Sequence, residues 1–251
     1  MRAMVLAAGL GTRLRPLTDD RPKALVEIAG RSMLEITLAR LRFFGIEEAI
    51  VNVHHFADMV VEYLKAKNNF GMRIEVSRED VLLDTGGGLK KAAWFFHGAE
   101  KKDEPFLLHN VDVISAIDLE QMLALHNESR SLATLAVQER ESSRQLLFAQ
   151  EGLLCGRRGG PHRESEIVRS AAKLTPLAFS GIHVISPRLF ELMTESGAFS
   201  IIDVYLRLAA SREKITAFRA DRFYWRDLGR PESVQQASRD LTAHVLREPL
   251  A

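Results

Sequence analysis

The chain has 251 residues, and its 34 lysines and arginines nearly balance 33 aspartates and glutamates, which gives a formal net charge of +1. So little net charge argues against nucleic acid or an anionic membrane as the main partner. Hydrophobic residues make up 46% of the chain and Cys155 is its single cysteine, so a core can form without any disulfide inside the chain. No apolar run approaches the roughly 18 residues of a membrane helix. With one thiol and no export signal, the cytoplasm is the expected compartment.

The first half of the sequence alternates strand and helix patterns with short joins, which predicts a parallel sheet covered by crossover helices. A capping-box spacing at Ser32 and Glu35 predicts the start of the first helix, which should stop at Gly45. The other predicted elements are strands at 3–8, 48–53, 73–77 and 106–109 and helices at 57–67 and 87–96. These units account for about the first 115 residues.

The second half changes toward strands and hairpins. Asp118 is predicted to cap a helix that runs to Asn127, and a helix is expected after Ser186 and Pro187. The remaining predictions are strands at 132–138, 146–149, 153–156, 177–185 and 215–218 and helices at 201–211 and 231–246. Residues 157–169 are polar and contain Gly-Gly-Pro, so they are expected to form a flexible loop or lid. Without an internal repeat or linker, the chain is predicted to be one α/β domain.

Residues 9–18 follow the first predicted strand and read Gly-Leu-Gly-Thr-Arg-Leu-Arg-Pro-Leu-Thr, with Lys23 shortly after them. Glycines at such a corner let backbone N–H groups approach a phosphate, and basic side chains add donors for its oxygens. Taken alone, Gly9 and Gly11 would equally fit an ordinary strand–helix turn. Leu14 stands where a dinucleotide-binding loop has its third glycine, and no Gly-Lys-Ser/Thr follows, so a Rossmann dinucleotide loop and a P-loop are both disfavoured.

This long motif, followed by Arg-Pro-Lys-Ala-Leu at 21–25, resembles the signature of the sugar-1-phosphate nucleotidyltransferases. Those enzymes make nucleotide-diphosphate sugars from a nucleoside triphosphate and a sugar 1-phosphate. Matching segments extend over roughly residues 4–237. The resemblance implies a GT-A-like nucleotidyltransferase fold, which is a Rossmann-like three-layer α/β sandwich with a mostly parallel mixed central sheet.

The resemblance also divides the single domain, 1–251, into a nucleotide-binding half at 1–115 and a sugar-phosphate-binding half at 116–251. It implies that the loop Gly9–Arg13 wraps the triphosphate. The nucleotide-binding residues expected in this region are Ala7, Ala8, Gly9, Gly11, Thr12 and Arg13. Arg13 and Lys23 are expected to be catalytic, because they would stabilise charge on the reacting phosphates.

Residues 83–89 read Leu-Asp-Thr-Gly-Gly-Gly-Leu at the start of a predicted helix. Glycine disfavours helix formation by roughly 1 kcal/mol per residue relative to alanine, so three in a row suggest that another group approaches the backbone closely. In the resembled family the matching segment lies against the nucleoside. Thr85, Gly86 and Gly87 are therefore expected to contact the base and ribose, with a merely flexible loop as the alternative.

Two aspartates are the candidate metal ligands. Asp112 follows the predicted strand 106–109 at the sheet edge where ligands of open α/β folds bind, although an aspartate there is more often a cap or turn residue. Its Asn-Val-Asp context resembles the family's Asn-Gly-Asp, with Val111 in place of the small middle residue. Trp-Arg-Asp-Leu-Gly at 225–229 resembles the family's Trp-x-Asp-x-Gly segment. The resemblance implies that Asp112 and Asp227 hold Mg²⁺, which suits a site with one or two protein carboxylates.

The acceptor side is predicted from Phe-Ser-Gly-Ile-His at 179–183, which resembles a family segment that touches the sugar. Asn110, Ser180 and Gly181 are therefore expected to bind the sugar phosphate. Lys173 is expected to pair with the phosphate itself, although the family's Glu-Lys-Pro motif is absent.

The implied reaction is in-line attack of the sugar 1-phosphate on the α-phosphate of the triphosphate, with Mg²⁺ as cofactor and no nucleic acid or membrane partner. The chain is expected to be a monomer or homodimer. Without a C-terminal hexapeptide-repeat domain, it most resembles the short bacterial forms, which are similar to N-acetylmuramate-1-phosphate uridylyltransferases and mannose-1-phosphate guanylyltransferases. The sequence does not separate uridine from guanosine.

Two alternatives stay open at this point. A choline-phosphate cytidylyltransferase would use aromatic rings and a carboxylate for its cationic acceptor, and Tyr224, Trp225 and Asp221 are candidates for that role. A non-catalytic protein that binds a nucleotide sugar and regulates a partner would not need both aspartates and Lys23.

Overall fold

A computed structural model describes residues 1–97, 103–159 and 165–242. The elements of its first half, in chain order, are β1 (Arg2–Leu6), β2 (Glu27–Ile28), β3 (Arg31–Ser32), α1 (Met33–Phe43), β4 (Glu48–Val53), α2 (Ala57–Ala66), β5 (Arg73–Arg78), α3 (Asp84–Lys91), β6 (Phe106–Asn110) and β7 (Val113–Ser115). The second half contains α4 (Leu119–Ser129), β8 (Ala133–Gln138), β9 (Arg144–Phe148), β10 (Leu154–Gly159), β11 (Glu166–Ile167), β12 (Thr175–Ile185), α5 (Leu189–Leu192), α6 (Ile201–Ala210), β13 (Ile215–Arg219), β14 (Trp225–Asp227) and α7 (Pro231–Thr242).

Ten of the described strands form one mixed sheet in the order β11-β10-β9-β12-β6-β1-β4-β5, with β8 beside β12 and β13 beside β8. The strands β6, β1, β4 and β5 are parallel to their neighbours within this group. β12 is antiparallel to both β6 and β8 and so joins the two halves of the chain. The predicted mixed central sheet, parallel through the first half, is confirmed.

The side chains of β1 alternate between two cores, one on each face of the sheet. Ala3 and Val5 enter the core covered by α1, α2, α4 and α7, whereas Met4 enters the core covered by α3 and α6. Alternation of this kind is what a strand imposes on consecutive residues. Because burial of a large apolar side chain contributes about 1.5–3 kcal/mol, both helix layers are held to the sheet by the same force. The result is the predicted three-layer sandwich.

Two predicted helix starts are confirmed in atomic detail. The Ser32 hydroxyl accepts a hydrogen bond from the backbone N–H of Glu35 at 3.0 Å and caps α1. The Asp118 carboxylate accepts from the backbone N–H of Gln121 at 2.9 Å and caps α4. Each cap satisfies a backbone donor that the first turn of a helix otherwise leaves open. Gly45 follows α1 with φ +71°, as its predicted role as a stop requires.

Two boundary predictions need correction. The helix predicted at 87–96 begins earlier, at Asp84, and ends at Lys91, with a separate 3₁₀ turn at Ala93–Phe95. The loop predicted at 157–169 has strands at its two ends, since β10 runs to Gly159 and pairs with β11 as a hairpin; residues 160–164 lie outside the described part of the chain. The closing helix predicted at 231–246 is present from Pro231 to Thr242, and residues 243–246 lie outside the described part of the chain. None of the described helices is long and apolar enough to cross a membrane.

β12 changes partners along its length, and this opens the sheet at one point. Its first residues, at 175–177, pair with β9, whereas its last residues, at 182–185, pair with β6. Between the two ladders Gly181 has φ +76°, a backbone conformation that glycine adopts without strain. The register against β8 shifts between Phe179 and His183. The gap therefore lies beside the carboxyl end of β6, where ligands of open α/β sheets bind.

Candidate active site

The loop after β1 is closed by contacts that only a glycine permits at position 11. Gly11 has φ +67°, and a Cβ added there would lie 2.9 Å from Thr18 Cγ2 and 3.2 Å from Lys23 Cβ. The Thr18 hydroxyl donates to the Gly11 carbonyl at 2.9 Å. The loop therefore folds back on itself and brings Lys23 next to Gly11.

The other predicted phosphate-binding residues of this loop differ in their access to solvent. Ala7 and Ala8 are 5% and 6% exposed. Gly9, Thr12 and Arg13 are exposed. Apart from the two residues adjacent to Gly9, no described residue has an atom within 4 Å of the position that a Cβ on Gly9 would occupy. The part of the loop from Gly9 onward is thus free to contact a ligand, whereas the two alanines support it from behind.

Lys23 and Asp112 meet although 89 positions separate them. The Lys23 ammonium forms an ion pair with Asp112 Oδ2, and the two side chains are only 12% and 15% exposed. Lys23 is held in the 3₁₀ turn Lys23–Leu25, and Asp112 lies between β6 and β7. Water screens such a pair less than it screens a surface pair, so each charge fixes the other in place.

The two candidate metal ligands are brought together by a short antiparallel ladder. β7 pairs with β14 so that Asp227 lies opposite Val113, the residue after Asp112. The backbone N–H of Leu228 donates to the Asp112 carbonyl oxygen at 2.8 Å. Two aspartates more than a hundred positions apart in the sequence are therefore neighbours at one end of this ladder.

Arg13 joins the same group through Gly229. A Cβ added to Gly229 would lie 2.8 Å from both Arg13 Nη2 and Asp227 Oδ1. The Gly229 N–H also donates to Asp227 Oδ1 at 3.0 Å and orients that carboxylate. The absence of a side chain at this position lets the guanidinium and the carboxylate share one small space. All four predicted catalytic residues thus form a single group of two cations and two carboxylates.

The donor set fits a magnesium ion that is shared with substrate phosphates. Magnesium prefers oxygen ligands, and nucleotide sites usually supply one or two protein carboxylates while phosphates and water complete the octahedron. Asp112 and Asp227 are two such carboxylates on adjoining backbone segments. No group of three or more histidine, cysteine, aspartate or glutamate side chains that could hold a metal occurs in the described residues, so a cage built by protein alone is absent from that part of the chain.

A buried polar chain links the first loop to the glycine-rich segment, and the sequence interpretation missed it. The Ala7 N–H donates to Asn52 Oδ1 at 2.7 Å, and Asn52 Nδ2 donates to Glu79 Oε1 at 2.7 Å. Glu79 Oε2 accepts from the Leu83 N–H at 2.9 Å. Asn52 and Glu79 are 2% and 4% exposed. The available signal was Asn52 itself, a polar residue inside an otherwise apolar strand, since buried polar groups need partners.

The glycine-rich segment packs against the chain itself. The N–H of Gly86 donates to the Phe199 carbonyl at 2.9 Å, and a Cβ on Gly86 would lie 2.5 Å from the Phe199 ring. A Cβ on Gly87 would lie 2.4 Å from the Gly197 carbonyl oxygen. The Thr85 hydroxyl oxygen accepts from the N–H of Ile201 at 3.0 Å. A close backbone approach is thus present, but its partner is the segment before α6, and contact with base and ribose stays a prediction.

Asn110, Ser180 and Gly181 lie together beside the β7–β14 ladder. A Cβ on Gly181 would lie 3.1 Å from Asn110 Nδ2 and 2.9 Å from Val113 Cγ2. The Ser180 carbonyl accepts from the indole N–H of Trp225 at 2.8 Å. The predicted acceptor residues therefore border the strand pair that ends at the two aspartates.

Lys173 is not brought to this group. It is exposed and lines a pocket of about 310 Å³ together with Cys155, Arg169 and Arg212, and none of the predicted catalytic residues lines that pocket. Lys173 precedes the part of β12 that pairs with β9, so the chain carries it away from the gap beside β6.

Arg140 lies beside the predicted acceptor segment 179–183, and no motif in the sequence pointed to it. Its guanidinium lies 3.8 Å from the centroid of the Trp225 ring. Its Nη2 donates to the Phe179 carbonyl at 2.8 Å. Nothing local in the sequence signals this position, because its contacts come from β12 and β14.

Comparison with known proteins identifies the family of this chain. The family model described as nucleotidyl transferase matches residues 2–146. A curated N-acetylmuramate α-1-phosphate uridylyltransferase of Caulobacter vibrioides is 37% identical over 83% of this chain and 84% of its own length. A mannose-1-phosphate guanylyltransferase of Mycobacterium tuberculosis is 28% identical over 98% of this chain, which spans 66% of that relative.

A solved structure confirms the predicted fold. The putative glucose-1-phosphate thymidylyltransferase of Bacillus anthracis, crystallised with sucrose, matches with a TM-score of 0.79 and 19% identity and covers 100% of this chain and 98% of its own. The family model spans more than half of the chain, and the Caulobacter relative exceeds 30% identity over most of it. The chain therefore belongs to the nucleotidyl transferase family.

Proposed function

We propose that this protein is a sugar-1-phosphate nucleotidyltransferase, which forms a nucleotide-diphosphate sugar and pyrophosphate from a nucleoside triphosphate and a sugar 1-phosphate. The observation that carries the proposal is the meeting of Asp112 and Asp227 with Lys23 and Arg13 at the end of the β7–β14 ladder. The named relatives act on sugar 1-phosphates, which supports the same class of acceptor here.

The reaction requires the two substrates to be positioned for attack and the negative charge of their phosphates to be neutralised. A phosphate oxygen of the sugar 1-phosphate is already anionic, so it can attack the α-phosphorus without a general base. As the new P–O bond forms, the bond from the α-phosphorus to the bridging oxygen breaks, and pyrophosphate leaves with the electron pair. The protein must hold two anions together and stabilise the charge that develops on the phosphates.

Lys23 and Arg13 supply positive charge from two sides of the aspartate pair. Lys23 contacts Asp112, and Arg13 lies beside Asp227. Exposed backbone from Gly9 onward adds N–H donors for the β- and γ-phosphates. Asp112 and Asp227 would hold Mg²⁺, which would supply charge neutralisation for the reacting phosphates.

The choline-phosphate alternative is not favoured by the acceptor side. The Trp225 face that would receive a quaternary ammonium carries the Arg140 guanidinium. Asp221 is paired with Arg219 at 2.7 Å, and the Tyr224 hydroxyl donates to Asp240 at 2.5 Å. A cationic acceptor would therefore meet a like charge, which repels it.

A pyrophosphate-release screen tests the function. Four nucleoside triphosphates are paired with N-acetylmuramate, mannose and glucose 1-phosphates and with phosphocholine, in the presence of Mg²⁺. We expect release with a sugar 1-phosphate, and the first pairs to examine follow the named relatives: uridine with N-acetylmuramate and guanosine with mannose. Release with CTP and phosphocholine alone would support the cytidylyltransferase. Silence throughout, together with tight binding of a finished nucleotide sugar, would support the regulatory protein.

The remaining expectations stay predictions. Nucleoside triphosphates and sugar phosphates are metabolites of a reducing compartment, and the lone Cys155 suits one. We therefore propose the cytoplasm as the site of action, with the protein acting as a monomer or homodimer.

A further inference from the structure

The acceptor phosphate lacks a cation of its own among the residues predicted from the sequence. Arg13 and Lys23 lie with the aspartates and the first loop, where the triphosphate is proposed to bind. Lys173, the cation predicted for the sugar phosphate, lines a different pocket. Two repelling anions nevertheless have to meet at the α-phosphorus, so a donor on the acceptor side is required.

Arg140 stands where such a donor is needed. It stacks 3.8 Å from the centroid of the Trp225 ring. Trp225 and Asp227 are two positions apart on β14, and residues so spaced in a strand project to the same face. The charge of Asp227 also reaches Arg140, since it opposes the lowering of the Arg140 pKa that burial causes. The guanidinium therefore lies on the sugar side of the proposed metal site.

The hydrogen bonding of Arg140 is incomplete. Its Nη2 donates to the Phe179 carbonyl, but its Nε is buried and has no partner among the described residues. Two further buried polar atoms without partners, Ser115 Oγ and Ser180 Oγ, belong to residues that pair with or bond to Trp225. Buried polar atoms are normally satisfied, so a cluster of unsatisfied ones marks a place where a polar ligand or water belongs.

The neighbouring Arg219 shows what a purely structural arginine looks like in this part of the molecule. Its guanidinium bonds to Asp221 at 2.7 Å and to Glu139 at 3.2 Å, so its charge is neutralised by the protein. For Arg140, no carboxylate lies within ion-pair distance in the part of the chain that the structure describes. A half-buried guanidinium held by a ring and a carbonyl keeps its charge available for an oxyanion.

We propose that Arg140 binds the phosphate group of the sugar 1-phosphate, an inference that rests on the function proposed above. The planar fork of a guanidinium matches two phosphate oxygens. Trp225 fixes the plane of that fork, and the Phe179 carbonyl fixes its position along the ring. The Arg140 donors that the Phe179 carbonyl does not use are then left for the acceptor phosphate, while Lys23 and Arg13 serve the triphosphate. Arg140 thus replaces Lys173 as the acceptor-side cation.

The test exploits the fact that the chain has two tryptophans. Trp94 is 56% exposed on a 3₁₀ turn, and Trp94→Phe leaves Trp225, next to Arg140, as the sole tryptophan, which can be excited selectively at about 295 nm. In this background, mannose, glucose and N-acetylmuramate 1-phosphates are titrated in the presence of Mg²⁺ and a triphosphate analogue whose link between the α- and β-phosphates cannot be cleaved. Steady-state KM values for both substrates are measured in parallel. The variants are Arg140→Gln, Arg140→Lys and the matched control Arg219→Gln.

We expect Arg140→Gln to raise the Kd and KM for the sugar 1-phosphate by about 10- to 100-fold, as loss of a charge-assisted bond implies, with less than a threefold change in KM for the triphosphate. The Kd and KM of Arg140→Lys for the sugar 1-phosphate should lie between those of the parent and Arg140→Gln. Those of Arg219→Gln should equal the parent values. Equal increases in both KM values, or a loss tracking a lower Tm, would assign Arg140 a structural role and overturn the inference. An active Arg140→Gln enzyme with unchanged affinity for the sugar 1-phosphate would also overturn the inference. If the parent enzyme neither binds nor converts any sugar 1-phosphate, both the proposed function and this inference are wrong.

Discussion

Each carboxylate of the candidate site lies next to a cation. The effect of removing a carboxylate therefore depends on the cation that it leaves behind. Asp112 forms an ion pair with Lys23, and Asp227 lies beside Arg13 at Gly229. Replacing a carboxylate by asparagine keeps its shape but removes a magnesium ligand and leaves a cation without its counter-charge. The effect should therefore appear in catalysis more than in folding.

We expect Asp112→Asn and Asp227→Asn each to lower kcat for pyrophosphate release by at least about 10²- to 10³-fold, which is the usual consequence of removing one transition-state stabiliser. The Mg²⁺ concentration needed for half-maximal rate should rise in both variants. Asp58→Asn is the control, because Asp58 is 81% exposed on α2 and, within residues 1–97, 103–159 and 165–242, forms an ion pair only with Arg78. Near-full turnover in both site variants at saturating Mg²⁺ would contradict the assignment.

At the scale of elements, the sequence predicted those whose signal is local. β4 was predicted at its observed bounds, and the caps of α1 and α4 were identified from the hydroxyl and carboxylate that form them. β7 and β14 were missed as a pair, because each has three residues and its partner lies more than a hundred positions away. This ladder joins the two aspartates, so the motifs indicated which residues form the site, but only the tertiary pairing shows how they meet.

The polar chain through Asn52 and Glu79 connects the triphosphate loop to the glycine-rich segment. Glu79 accepts from Asn52 Nδ2 and from the Leu83 N–H, and a Cβ on Gly88 would lie 2.7 Å from its Oε1. These contacts couple the position of the first loop to that of the glycine-rich segment. Removal of Glu79 should therefore displace the Ala7 N–H, even though Glu79 does not contact that group directly.

We expect Glu79→Ala to raise the KM for the triphosphate by about tenfold and to lower the free energy of unfolding by about 2 kcal/mol, because one buried donor and one partly buried donor lose their acceptor. The KM for the sugar 1-phosphate should change less than twofold. Glu79→Gln should show a smaller effect, since an amide keeps one acceptor oxygen. Glu75→Ala on β5, the strand that Glu79 follows, controls for loss of a carboxylate. A larger effect on the sugar phosphate than on the triphosphate would refute this role.

Three buried histidines link the stability of the whole molecule to pH. Burial lowers the pKa of His109 and of His126 to about 4 and that of His183 to about 3. In the unfolded chain their pKa is near 6.5. Between about pH 6.5 and 4 the unfolded state therefore binds protons that the folded state does not, so stability falls as the pH is lowered through this range.

We expect the free energy of unfolding to fall by up to about 1.4 kcal/mol per pH unit for each histidine that remains neutral in the fold. His183→Asn should reduce the dependence of the free energy of unfolding on pH between pH 6.5 and 5 by up to about 1.4 kcal/mol per pH unit, the contribution of one proton. The free energy is measured by denaturant titration at fixed ionic strength. His97→Asn is the control, because His97 is exposed. Equal slopes for His183→Asn and the parent would show that His183 is protonated in the folded state.

The two halves of the chain share one sheet and both cores, which predicts a single cooperative unfolding transition. β12 pairs with β6 from the first half and with β8 and β9 from the second. One core contains Met4 and Leu108 together with Leu135 and Tyr205. Leu108→Ala and Leu135→Ala, at about 2–5 kcal/mol each, should lower the Tm of the same calorimetric peak, with equal calorimetric and van't Hoff enthalpies. A second peak that only one variant shifts would mean that the halves unfold separately.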